Sequence, residues 1–79
     1  MVSFSFGDLV RPVFDNETVY LFARDPEETI IIGDSISVGP AWKKNCLGVI
    51  VNTRGPWVQI LIDGGKLGWI GDWNVEKVK

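Results

Sequence analysis

Residues 47–78, LGVIVNTRGPWVQILIDGGKLGWIGDWNVEKV, carry the clearest structural pattern of the chain. In the segment 57–62, apolar residues occupy every second position, as in a β-strand with one buried face. The sequence Asp-Gly-Gly-Lys at 63–66 follows, and its glycines accept the positive φ angles that a tight hairpin turn requires. Apolar residues alternate again over 67–70. The sequence therefore predicts a β-hairpin, with Trp69 in the core.

Short β-branched and aromatic runs extend this pattern to the rest of the chain. They predict further strands at 9–13, 18–22, 29–32, 36–38, 47–51 and 75–78. Pro12 has no N–H to donate, which indicates a strand end or a sheet edge. The segment 41–45, Ala-Trp-Lys-Lys-Asn, predicts a polar loop, residues 25–28 an acidic turn, and residues 71–74 one 3₁₀ turn. No helical period is sustained, so we expect an all-β barrel of five to seven antiparallel strands.

Length and composition limit how such a barrel is stabilised. We interpret residues 1–79 as a single domain, and a chain this short buries only about 60–65% of its unfolded surface. Cys46 is the only cysteine and there is no histidine, so neither an internal disulfide nor a structural zinc site is expected. Self-association is the remaining way to strengthen a small core. We therefore expect a homo-oligomer, either a ring or a dimer.

The same features constrain function and location. Without histidine, the common Ser-His-Asp and Cys-His catalytic arrangements are absent, so we expect no enzyme activity. We expect no cofactor and no metal, and we interpret Cys46 as a small apolar filler at the start of a strand. The glycines at 64–71 lack the spacing of phosphate-binding loops. The N-terminus lacks a signal-peptide pattern and no apolar run is long enough to span a membrane, which favours the cytoplasm.

Nucleic-acid binding is the main alternative to self-assembly. The N-terminal half of the chain is acidic and the C-terminal half is basic. If the basic residues formed one face with tryptophans, they would combine charge with base stacking. The candidate contact residues are Trp42, Lys43, Lys44, Arg54, Trp57, Lys66 and Trp73, joined by Lys77 and Lys79. The sequence pI of about 4.9 favours self-assembly, since nucleic-acid-binding domains are usually basic.

A family resemblance adds to this interpretation. The segment 68–78, GWIGDWNVEKV, resembles the last third of an SH3 domain, and Trp57 lies where such domains begin the strand before the distal hairpin. Residues 65–70, Gly-Lys-Leu-Gly-Trp-Ile, resemble bacterial SH3-like domains. Residues 7–11 and 48–51 resemble small barrel proteins of tailed phages, cyanophages among them, and of marine metagenomes. Some of those resemble Sm-like proteins, which implies ring oligomers.

The resemblance also has departures that bear on function. A peptide-binding SH3 domain needs a proline and a tyrosine in its 3₁₀ segment, where this chain has Gly71 and Asn74. This argues against binding of proline-rich peptides. We therefore predict a non-catalytic, SH3-like interaction or assembly module of a phage, acting in the host cytoplasm, with Trp57 and Trp73 as exposed contact aromatics. Sm-like or KOW-like binding of RNA or single-stranded DNA is the alternative, and peptide or cell-wall binding is a weaker one.

Overall fold

The computed structural model describes residues 3–14, 17–26 and 38–78. Seven antiparallel strands form one curled sheet in the order β3-β2-β6-β5-β4-β1-β7. The strands are β1 (Leu9–Pro12), β2 (Thr18–Phe22), β3 (Val38–Lys43), β4 (Gly48–Arg54), β5 (Trp57–Ile62), β6 (Lys66–Gly71) and β7 (Val75–Lys77). Two 3₁₀ turns, Asp63–Gly65 and Asp72–Asn74, precede β6 and β7. The predicted class, a small all-β barrel-like fold with a 3₁₀ turn before the last strand, is confirmed.

The hairpin of β5 and β6 lies at the centre of the sheet. Its register runs without a shift from the pair Trp57 and Gly71 to the pair Ile62 and Lys66. Gly64 and Gly65 in the connecting turn have φ angles of 82° and 75°, which only glycine adopts readily. The predicted hairpin is therefore confirmed, including its turn.

The core lies on the concave side of the sheet and draws on all seven described strands. Every second residue of β5 is buried there, as the alternation predicts. The buried cluster consists of Val10, Leu21, Trp42, Ile50, Val58, Ile60, Ile62, Ile70 and Val75. Because these residues are far apart in sequence, the core forms only when the strands have paired in the right register.

The prediction of a polar loop at 41–45 was wrong for its first three residues. β3 continues through Gly39, Pro40 and Ala41 to Lys43, and only residues 44 and 45 turn. The period-two alternation of this strand directs Trp42 inward, where its side chain is only 1% exposed. Its indole N–H donates a hydrogen bond to the Cys46 carbonyl oxygen at 3.1 Å. Trp42 is therefore a core residue and not the contact residue that the sequence analysis expected.

The two terminal strands of the sheet carry features that discourage pairing with other chains. Among the described strands, β3 and β7 occupy the ends of the strand order. β3 contains Pro40, which offers no N–H, and β7 has only three residues, including the charged Glu76 and Lys77. Prolines, charges and short length are the usual means by which natural sheets protect their edges.

Some of the remaining predictions are confirmed, and the others concern residues that the structure does not describe. The strand at 18–22 has the predicted bounds, β7 begins at Val75 as expected, and Pro12 ends β1. The predicted strand at 29–32, the turn residues 27 and 28, the start of the strand at 36–38, and Lys79 lie outside the described residues.

Two neighbouring residues of β5 test the assignment of its faces. Ile60 is fully buried, whereas Leu61 is 37% exposed on the opposite face. We expect Ile60→Ala to lower the free energy of unfolding by about 2–5 kcal/mol because it leaves a cavity in the core. The control Leu61→Ala should lower it by about 1 kcal/mol or less. Urea denaturation at low protein concentration measures both, and equal losses would contradict the assigned faces.

Candidate binding groove

An aromatic groove opens on the convex face of the sheet and reaches inward to Ile70 of the core cluster and to Phe14 and Val19, which pack against that cluster. It is bounded by β2, by the adjoining ends of β5 and β6, and by the Asp72–Asn74 turn, and its cavity measures about 360 Å³. The residues that line it are Phe14, Val19, Tyr20, Phe22, Trp57, Trp69, Ile70, Gly71, Trp73 and Asn74. We call this feature the aromatic groove.

Strand register brings the aromatic residues of the groove together. Gln59 of β5 pairs with Trp69 of β6, and Trp69 pairs in turn with Phe22 of β2. Paired residues of antiparallel strands share one face, and residues two apart along a strand do the same. Trp57, Trp69 and Phe22 therefore all lie on the convex face. Trp69 is buried as predicted, but it belongs to the groove and not to the core cluster.

Aromatic contacts hold the walls of the groove in place. The ring centroids of Trp57 and Trp73 are 5.4 Å apart, and the two planes are inclined by 60°. Phe22 meets Trp57 edge-to-face at 5.8 Å. Such pairs contribute about 0.5–1.5 kcal/mol beyond the burial of their area. Trp73 is nevertheless 62% exposed, so one end of an otherwise packed cluster remains accessible to a ligand.

Gly71 makes room for the exposed tryptophan. A Cβ atom at Gly71 would lie 2.4 Å from the Cη2 and Cζ2 atoms of Trp73, far inside van der Waals contact. The indole of Trp73 therefore lies directly on the backbone of β6. Gly71 has φ −68° and ψ 143°, values that any residue adopts, so the requirement for glycine is one of space.

The groove is chemically apolar with a few neutral polar groups. None of the residues that line it carries a charge. The hydrogen-bonding side chains in the lining are those of Tyr20, Asn74 and the tryptophans, whose indoles donate. Such a surface accommodates apolar groups and satisfies a small number of amides or carbonyls, as ligand sites in proteins commonly do.

The structure places Lys43, Lys44 and Lys66 away from the aromatic groove, whereas Arg54 of β4 pairs directly with Trp57 of β5. Lys43 and Lys44 line a different cavity, of about 600 Å³, which also contains Glu17. Lys43 and Lys66 border another, of about 280 Å³, together with Asp63 and the buried Trp42. Each of these two cavities therefore has an acid beside its lysines. These lysines line no cavity together with Trp57 or Trp73.

Arg54 and Lys77 are also paired with acids. The Nε of Arg54 lies 3.0 Å from Oδ2 of the buried Asp25, and the Nζ of Lys77 lies 3.4 Å from Oδ2 of Asp8. These ion pairs reduce the positive charge that either residue offers to a phosphate group.

Cys46 adjoins both lysine-lined cavities. It is half-buried and packs against the core cluster just before β4, where the sequence analysis placed an apolar filler.

Tyr20, Phe22 and Phe14 are groove residues that the sequence analysis missed. The alternation within β2 already places Tyr20 and Phe22 on one face, which is the available signal. What the sequence does not reveal is that β2 pairs with β6, a strand more than forty positions away. That pairing brings them to the two predicted contact aromatics, Trp57 and Trp73, which the structure does bring together.

Comparisons with protein-family models, with curated proteins and with solved structures found no match to this chain. Among the described ranges there is no helix of the length and apolar character needed to cross a membrane. In the same ranges, no cluster of three or more His, Cys, Asp or Glu side chains is positioned to hold a metal ion.

The contact between Gly71 and Trp73 can be tested by a double-mutant cycle. We expect Gly71→Ala to displace the Trp73 indole, lowering the free energy of unfolding and weakening the near-ultraviolet circular dichroism of the tryptophan pair. In a Trp73→Ala background, Gly71→Ala should change the free energy of unfolding little, because the indole that it would clash with is absent. If Gly71→Ala lowered the free energy of unfolding equally in both backgrounds, this packing would be contradicted.

One carboxylate away from the groove predicts a pH dependence of stability. The Ser5 backbone N–H donates to Asp8 Oδ2 at 2.8 Å, and this hydrogen bond, aided by Lys77, lowers the pKa of Asp8. A lowered folded-state pKa gives stability that is fully present above the unfolded-state pKa, about 3.9, and is lost as the pH falls through the folded-state value. We expect Asp8→Asn to remove this part of the acid sensitivity. Urea denaturation of the wild type and of Asp8→Asn, from pH 6 down to pH 2, measures the free energy of unfolding of each. If that free energy fell equally with pH in both proteins, the role of Asp8 would be contradicted.

Proposed function

We propose that this chain is a non-catalytic interaction module that binds a short, uncharged apolar segment of a partner protein in the aromatic groove. The observation that carries the proposal is the cluster of Trp57, Trp73 and Phe22, which is packed on one side and open on the other. Rigid aromatic side chains of this kind dominate the energy of protein interfaces, because they bury a large area and lose little conformational entropy.

The chemistry of the groove favours a neutral peptide over a charged ligand. A charged side chain placed there would lose water without gaining an ionic partner, since no charged residue lines the cavity. Peptide carbonyls and amides, by contrast, match the neutral groups of Tyr20 and Asn74 and the indole N–H groups. The volume of about 360 Å³ accommodates a few side chains of an extended segment.

The same argument makes nucleic acid the less favoured ligand. Base stacking on Trp73 and Tyr20 is sterically open, but phosphates need lysine or arginine beside the stacking surface. Lys43, Lys44 and Lys66 border other cavities. Arg54 pairs with Trp57 across the strands, but its guanidinium forms an ion pair with Asp25, which reduces the charge that it offers to a phosphate.

The SH3 resemblance supports a peptide as the ligand, but it does not support a requirement for proline in that peptide. The 3₁₀ segment lacks the expected proline and tyrosine, but Trp73 in the same segment supplies a large aromatic surface. We therefore propose apolar peptides in general and do not restrict the ligand to proline-rich ones.

The test is selection from a displayed library of random peptides, followed by fluorescence anisotropy with the enriched sequences. We expect enriched peptides to be uncharged and apolar and to bind with micromolar affinity. Trp73→Ala should weaken binding by at least about tenfold, since it removes the exposed anchor of the groove.

The control is Leu67→Ala, which removes an exposed apolar side chain elsewhere on the convex face and should leave peptide affinity unchanged. Equal weakening by both variants would contradict the groove as the site. A labelled single-stranded oligonucleotide provides the competing arm. Tight binding with a steep salt dependence that Trp73→Ala abolishes, without any selected peptide, would overturn the proposal in favour of nucleic acid.

A further inference from the structure

A second apolar feature crosses the convex face beyond the aromatic groove. In the observed registers, Leu9 of β1 pairs with Val49 of β4, Val49 pairs with Leu61 of β5, and Leu61 pairs with Leu67 of β6. Four aliphatic side chains therefore stand side by side across four adjacent strands. We call this set the aliphatic row.

The aliphatic row is accessible to solvent. Leu9, Leu61 and Leu67 are 39%, 37% and 48% exposed, and Val49 is partly exposed. The solvent face of an antiparallel sheet normally carries polar residues at such positions. Apolar side chains that are contiguous on an exposed face often mark an interaction site, whereas single exposed apolar residues need no explanation.

Charged residues flank the aliphatic row in a self-complementary pattern. β1 and β5 both run antiparallel to β4, so they point the same way. Arg11 lies two residues beyond Leu9 on β1, and Asp63 directly follows β5, two residues beyond Leu61, so a base and an acid flank the same side of the row. A two-fold axis parallel to the strands, between β4 and β5, would place Leu9 of one copy against Leu67 of the other. It would also bring each Arg11 beside the Asp63 of the other copy.

Arg11 retains capacity for this second contact. Its Nε already donates to Oε1 of Glu76 within the chain. A guanidinium group carries five N–H donors, so one intrachain bond leaves others for a carboxylate across the interface.

We infer that the aliphatic row is the contact surface of a symmetric dimer of this chain. Two copies pack face to face through it, because Pro40 on β3 and the short, charged β7 make the sheet edges poor partners. The row contains four side chains, far fewer than the about 20–30 residues a side of a standard stable interface, so the dimer dissociates on dilution. The aromatic groove stays open, since Trp57 lies four residues, about 13 Å, along β5 from Leu61.

The test is sedimentation velocity of the wild-type chain over a range of concentrations, beside two lysine variants. We expect a monomer–dimer equilibrium for the wild type and a monomer for Leu67→Lys at every concentration. The matched control is Tyr20→Lys, which puts the same charge on an exposed side chain at the groove and should leave the dimer intact. Circular dichroism verifies that each variant is folded, and Leu61→Lys serves as the second row variant if Leu67→Lys is not.

A wild-type chain that is monomeric throughout would overturn the inference, as would a dimer that survives the row substitutions. Equal dissociation by Tyr20→Lys would overturn it as well, because the contact would then lie at the groove. Trp73→Ala should weaken peptide binding by at least about tenfold while the dimer remains, so failure of this inference and failure of the proposed function are distinguishable.

The two-fold arrangement has its own test in the flanking charges. Asp63→Arg should weaken the dimer by about tenfold, since two like charges then meet twice across the axis. Adding Arg11→Asp should restore much of the lost affinity by reversing the pair. Further weakening in the double variant would overturn the placement of the axis.

Discussion

The pairing of β5 with β6 is the constraint on which the other surfaces of this chain depend. Because that register runs unshifted through six pairs, the inward residues of both strands meet the core while the outward residues align on the convex face. Slipping the pairing by one residue would exchange the two faces. It would put Trp57 and Leu61 inside and expose Ile60. The turn glycines Gly64 and Gly65 set this register by the conformation that they alone accept easily.

The convex face carries two apolar surfaces for the same reason. One end of the hairpin presents Trp57 and the backbone of Gly71, on which Trp73 lies, while the other end presents Leu61 and Leu67. Neighbouring strands extend each end: β2 contributes aromatic residues to the groove, and β1 and β4 contribute aliphatic ones to the row. The 79 residues of this chain thereby present two separate apolar surfaces, for which we propose a peptide and a second copy as the respective partners.

Features that depend on interactions between residues close in sequence can be predicted from the sequence alone, and features that depend on pairing of distant strands cannot. The hairpin, the 3₁₀ turn at 72–74 and the strand at 18–22 rest on local alternation and turn chemistry, and they were predicted. The segment at 41–43 was missed because Gly39-Pro40 indicates a break. A proline is tolerated on an end strand, however, where its missing N–H costs no ladder hydrogen bond. The burial of Trp42 was missed with it.

The groove and the aliphatic row depend on which strands are neighbours, and that information is not local. Trp57 and Trp73 were expected to be exposed contact residues, and the structure brings them together. Their companions Tyr20 and Phe22 join them only through the pairing of β2 with β6. The aliphatic row forms only if the pairings of β1 with β4, β4 with β5 and β5 with β6 all have the observed registers. Of the expected basic residues, Arg54 lies beside Trp57 but is paired with Asp25, and Lys43, Lys44 and Lys66 line other cavities. Net charge along the chain does not indicate which acid each base will meet.

We propose that the convex face of the hairpin binds a peptide at its tryptophan end. The most direct test is the two-dimensional ¹H–¹⁵N spectrum of the four tryptophan indole groups during titration with a selected peptide. We predict that the indole resonances of Trp57 and Trp73 shift progressively while that of Trp42, held in the core by its hydrogen bond to the Cys46 carbonyl, does not. Shifts confined to backbone amides near Lys43 and Lys44, with the indoles of Trp57 and Trp73 unmoved, would contradict it.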